Sequence, residues 1–176
     1  AGCGPSHLSL DAPPPGAVLD YQDTLDKWTA SGRIYQDFET NAVVHATFFS
    51  PEFVAAYLQE YDRLFSPVEE ERTTVRNRLM HRQQRKECFF VTLFTGERDW
   101  NDLSLPNSIW RAYLITGRGQ RAKADSITDV KRRDAARQHF FPHFESFHDA
   151  YEVCFDRYAA RGSTDEGLPQ PLFAPG

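Results

Sequence analysis

The chain has 176 residues, 40% of them hydrophobic and 26% charged, the balance of one globular domain with a core of its own and not of a disordered chain. Its 20 Lys and Arg stand against 25 Asp and Glu, a net charge of −5, which argues against nucleic acid as a partner. It contains no long uncharged apolar run of the kind that makes a membrane-spanning helix.

The chain opens Ala1-Gly2-Cys3-Gly4-Pro5-Ser6. A small residue, a glycine and then a cysteine resemble the end of a bacterial lipobox, where the thiol is lipidated after signal cleavage. The resemblance covers three residues. It implies that Cys3 is the lipidated first mature residue and that the protein is a lipoprotein of the bacterial envelope, anchored on the periplasmic side of a membrane. Asp11-Ala12-Pro13-Pro14-Pro15-Gly16 is a semi-rigid polyproline stretch, and residues 4–19 carry no helix or strand period. Residues 1–19 therefore read as a flexible Pro-rich tether, a spacer of about 3 Å per residue.

In residues 20–160 the first signal is Arg33-Ile34-Tyr35-Gln36-Asp37-Phe38, a polar break at 39–41, then Ala42-Val43-Val44-His45-Ala46-Thr47-Phe48-Phe49. Two β-rich runs around a break predict a hairpin. The second run is apolar on both parities, so it belongs inside a sheet covered on both faces. Ser50-Pro51-Glu52 starts a helix: Ser caps, Pro suits the first turn, and the acid meets the positive end of the dipole. Phe53, Ala56, Tyr57, Glu60, Tyr61 and Leu64 follow at helical spacing. Ser66-Pro67 repeats the start signal before Glu69, Glu70 and Glu71, so two helices are predicted, 51–65 and 67–87. Strands follow over 89–94, 108–115 and 126–130, with Gly117-Arg118-Gly119 as a turn. A short helix from Asp134 to Phe141 ends at Pro142. Ala150-Tyr151-Glu152-Val153-Cys154-Phe155 alternates as the last strand, with Tyr151, Val153 and Phe155 inward. Residues 161–176 read as a tail.

Long helices do not alternate with strands, which argues against a parallel doubly wound sheet. The order predicts an α+β domain: a mainly antiparallel sheet or sandwich with a two-helix insertion at 50–87. Its 14 Phe, with seven Tyr and three Trp, predict an aromatic core.

The candidate metal ligands are His139, His143, His148 and Asp149, with Glu145 between them. Imidazoles at i and i+4 share a helical face, and a third donor beyond the helix would complete a zinc site with an open position. Pro142 interrupts that helix, and the His-Glu-x-x-His order of a zinc protease is missing. The expectation is that these histidines cap and bridge an aromatic loop over the core, formed by Phe140, Phe141, Phe144 and Phe147. Asp99-Trp100-Asn101-Asp102 is oxygen-rich but lacks the glycine and distal glutamate of a calcium loop, which leaves local turn bonds. Cys88 and Cys154 have no nucleophile-elbow or cysteine-protease context. They are either a disulfide, which an oxidising envelope would permit, or two buried free thiols. Free thiols are the expected state, because parity does not force the pair into one layer.

Arg72, Arg76, Arg78, Arg82, Arg85 and Lys86, with His81, occupy the second helix and are read as circling it, a solvated face that near a membrane could touch phosphates. The functional expectation is an envelope-tethered domain that works by binding or structural interaction and needs no cofactor. Its partners would be the membrane, through lipidated Cys3, and an envelope protein. The contact surface would be the helical insertion and loop 139–148. The alternative is a metal-dependent hydrolase using the histidine loop.

Overall fold

The computed structural model describes residues 8–36, 39–115, 119, 121–131 and 135–157. Cys3, the tail 161–176, and Arg118 of the glycine turn lie outside the described residues. The strands are β1 (Thr29–Gln36), β2 (Glu39–Phe48), β3 (Lys86–Thr95), β4 (Tyr113–Ile115), β5 (Arg121–Lys123), β6 (Ser126–Asp129) and β7 (Asp149–Asp156). The helices are α1 (Tyr21–Trp28), α2 (Pro51–Phe65), α3 (Glu69–Arg85) and α4 (Ala135–Phe140). Five strands make one antiparallel sheet in the order β1-β2-β3-β7-β6, and β4 and β5 pair separately. The domain is α+β, with the helices segregated from the sheet.

Register divides the sheet into two faces, since opposite residues of an antiparallel pair share a side. Thr47 faces Phe90, His45 faces Thr92, and Cys88 faces Cys154, so these residues lie on one side. That side packs against the helices through Phe53, Val54, Ala56, Phe140, Phe141 and Phe144, all buried. The opposite side presents Val91, Leu93, Tyr151, Val153 and Phe155 to a second cluster closed by Leu103, Ala122 and Trp110. β3 and β7 are thus buried on both faces, which is why both parities of Ala150–Phe155 are apolar or sequestered.

Several features differ from the sequence reading, among them β5, which was not expected. Nor was α1. Asp20 caps it by accepting from the Asp23 amide at 2.9 Å, and Tyr21, Leu25 and Trp28 bury one stripe. The predicted strand over 108–115 shrinks to Tyr113–Ile115, because Ser108 is drawn into a turn by a 2.7 Å bond to Asp102 Oδ1. Ser66-Pro67 does not start α3. Ser66 instead ends α2 in the left-handed conformation at φ 44°, and α3 begins at Glu69 behind Val68 without a side-chain cap. The free-thiol expectation is also overturned. Cys88 and Cys154 form a disulfide with Cα atoms 4.1 Å apart, because β3 and β7 are neighbours in the register that sets the two directly opposite.

The described part of the proline-rich segment is not a free spacer. Gln59 on α2 brackets it, its amide donating to Ala17 O at 2.8 Å and its carbonyl accepting from the Leu19 amide at 3.1 Å. Leu10 and Leu19 pack on the helical core.

Candidate functional site

The helical side of the sheet carries two groups of polar side chains, and the segment from α4 to β7 borders both. Phe140, Phe141 and Phe144 anchor that segment. Phe141 stacks on Phe90 with ring centres 3.9 Å apart, and Phe144 meets Phe90 edge-on at 5.9 Å. Tyr21 fixes its start, donating to Phe140 O at 2.6 Å. The aromatic loop is therefore part of the core, except Phe147, which is exposed.

This anchoring separates the sequence-predicted metal ligands. His139 turns outward to α2, where its Nε2 lies 2.6 Å from Glu60 Oε1. Two bonds from Arg63 reach the same carboxylate, at 2.7 and 2.6 Å. Hydrogen bonds from Arg63 and then His139 hold the Glu60 carboxyl down at about 2. His143 and His148 turn inward, and they meet a residue that sequence reasoning did not select, His45 of β2. The His45 ring centre is 5.2 Å from His143 and 6.1 Å from His148. Burial lowers the pKa of all three, that of His143 to about 4, and each of His45 and His143 is lowered further by neighbouring imidazoles. Both His148 ring nitrogens are buried without a hydrogen-bond partner among the described residues. Asp149 is exposed at the start of β7, beside His148 and not in a shared donor set.

Among the described residues, three metal-ligating atoms come within 4.8 Å of one another only at Cys88, Glu152 and Cys154. The disulfide occupies both sulfurs there. The structure does not bring His139, His143, His148 and Asp149 together: they lie in an ion pair, an imidazole cluster and at a strand edge. Proline at 142 explains the split, since the chain turns between His139 and His143 and no helical face joins them. The oxygen-rich run at 99–102 makes the expected turn bonds. Asn101 Oδ1 accepts from Thr95 at 3.0 Å, and Asp102 accepts from Ser108.

The second group lines a cleft of about 680 Å³ between α3, α4 and the middle of β7. Arg78, His81, Arg82 and Arg85 project into it from α3 at positions i, i+3, i+4 and i+7, one stripe of the helix. Lys86 and Arg137 contribute from the start of β3 and from α4, and Phe49, Phe90, Phe140 and Phe141 form the floor. The one carboxylate among the lining residues, Glu152, is ion-paired to Arg82, whose guanidinium also lies 4.4 Å from the centre of the Phe49 ring. Comparison with family models, curated proteins and solved structures finds no match.

The cations of α3 therefore do not simply circle the helix. Arg72 is held away by Asp62 and Glu69, at 3.1 and 2.8 Å, and the remaining stripe faces one cleft. The 78-81-82-85 spacing was visible in the sequence once Arg72 and Arg76 are set aside. Lys86 follows Arg85 directly in that basic run, whereas nothing local marked Arg137 or Glu152 as its neighbours.

Proposed function

We propose that this chain is a binding or interaction domain of the bacterial envelope, held at a membrane through Cys3, with the cleft between α3 and α4 as its contact surface. The cleft is the observation that carries the reading. Its volume, about 680 Å³, falls within the range of small-molecule sites, and its aromatic floor under polar side chains is the usual make-up of such sites. Its polar side chains are Arg78, Arg82, Arg85, Lys86 and Arg137 with His81, Tyr57 and the ion-paired Glu152, a predominantly basic set suited to holding an anionic ligand. The Cys88–Cys154 disulfide supports the location, because such bonds persist in oxidising compartments.

Mass spectrometry of the protein isolated from its native membrane tests both parts. Under denaturing conditions a diacylglyceryl-type addition on Cys3 is expected. Under native conditions a stoichiometric, noncovalent ligand is expected. An unmodified Cys3 overturns the tether, and a bare native mass overturns the binding role.

A further inference from the structure

We propose, resting on the binding role above, that the cleft is a site for a phosphate-bearing amphiphile, with the phosphate held by the Arg78–Arg85 edge of α3 and the apolar body on the aromatic floor. Two features single it out from the rest of the surface.

The first is charge. The whole chain carries −5, yet Arg78, Arg82, Arg85, Lys86 and Arg137 converge on one cleft with a single lining carboxylate. Glu152 compensates Arg82, and Asp125 compensates Lys86 at 2.6 Å. Arg78 and Arg85 are exposed and have no ion-pair partner among the described residues, unlike Arg63 and Arg72 on the same helical pair. Seven residues, about two helical turns, apart on α3, they stand on either side of Arg82 and leave their donor forks for a ligand. A guanidinium fork matches two oxygens of a phosphate, which makes paired arginines a better fit to phosphate than to a spherical anion.

The second is the floor. Phe49, Phe90, Phe140 and Phe141 are buried side chains whose edges still line the cleft. Arg82 already lies over one of these rings, so the rim and floor are continuous. A bare inorganic anion would use the rim and leave the floor wet. A phosphate ester with an acyl chain or ring uses both, and the apolar contact adds to the electrostatic one.

The source of the phosphate is either a membrane phospholipid headgroup or a soluble phosphorylated compound, and the test separates them. The full chain is titrated with phosphatidylcholine vesicles with and without phosphatidylglycerol, with monodisperse short-chain phosphatidic acid, and with inorganic phosphate. The variant is Arg78→Gln with Arg85→Gln, which spares the Arg82–Glu152 pair. The control is Arg76→Gln with Arg98→Gln, which removes the same charge away from the cleft. Saturable binding of short-chain phosphatidic acid, weakened about tenfold or more by the cleft variant and less than about twofold by the control, is expected. Inorganic phosphate should bind more weakly than the amphiphile. Binding only to phosphatidylglycerol vesicles, with the same sensitivity, assigns the site to a lipid headgroup. Equal losses in the cleft and control variants, or no saturable binding to any probe, overturn the proposal. Failure here with a lipidated Cys3 rejects the phosphate assignment alone, while phosphate binding by a protein with unmodified Cys3 rejects the tether alone.

Discussion

Cys88 and Cys154 face each other in register across β3 and β7, with Cα atoms 4.1 Å apart and the sulfurs bonded. The bond joins the central strand of the five-stranded sheet to its neighbour β7 and lies buried against the helices. It closes a loop with a sequence separation of 66 residues that contains the β4–β5 pair, β6 and α4. Thiol titration of the denatured, unreduced protein should find two fewer groups than in the reduced sample. Replacing both cysteines by Ala is expected to lower stability by about 4 kcal/mol on the chain-entropy estimate. Full titration without reduction would show that the pair is open.

The imidazole cluster predicts acid sensitivity. His45, His143 and His148 all have folded pKa values lowered from the ordinary histidine value, so the unfolded chain binds protons more readily. The charged groups facing them are Arg33, Glu145 and Asp149. Stability is therefore complete above about pH 6.5 and declines as the pH falls toward about 4, where His143 itself protonates. His143 alone should contribute on the order of 2 kcal/mol of that decline, allowing for its water-facing part. Chemical denaturation at stepped pH checks this, and His143→Gln should flatten the curve in that window. An unchanged slope would show that the cluster is already solvated.

Glu60 gives a second window of the same sign at lower pH. Its folded pKa is lowered to about 2 by Arg63, with His139 assisting, so its contribution is present above the ordinary carboxylate pKa and disappears as the pH falls toward about 2. Glu60→Gln should cost about 1–2 kcal/mol at neutral pH by weakening the bonds from Arg63 and His139. His139→Gln should cost less and leave metal content unchanged. Thermal denaturation ranks the two, and equal losses would place His139, not Arg63, as the principal partner.

The helical pair is a cover for the core and not a dispensable insertion. Phe53 is wholly buried, between Phe49, Tyr21 and Phe141. Phe53→Ala should cost about 3–5 kcal/mol. Deleting 50–87 would also remove Cys88's neighbouring strand residues and bare the aromatic face, so an aggregated product is expected. A soluble, sheet-containing remnant in light scattering and circular dichroism would contradict the packing.

The elements with strong local signals were readable from the residues themselves. Ser50-Pro51-Glu52 begins α2 as the capping chemistry requires, with Ser50 Oγ accepting from the Phe53 amide at 3.0 Å. The apolar runs at 42–49, 89–94 and 150–155 are strands, and their segregation from the helices determined the α+β class. α1 was also legible in principle, through Asp20 and the Tyr21-Thr24-Leu25-Trp28 stripe, but eight residues make a weak period.

Contacts between distant segments depended on the tertiary structure. Parity within each strand says which residues share a face of that strand, not which strand lies beside it. Only the β3–β7 register brings Cys88 to Cys154 and only the β2 position brings His45 to His143. His139 and His143 look like one donor pair along the chain, yet Pro142 and the packing of Phe140 and Phe141 send them to opposite neighbours. Sequence spacing determined the stripe of arginines on α3. The fold decided that Arg137 and an aromatic floor line the same cleft, because the free energy of burying those phenylalanines is settled by the whole core and not by any local run.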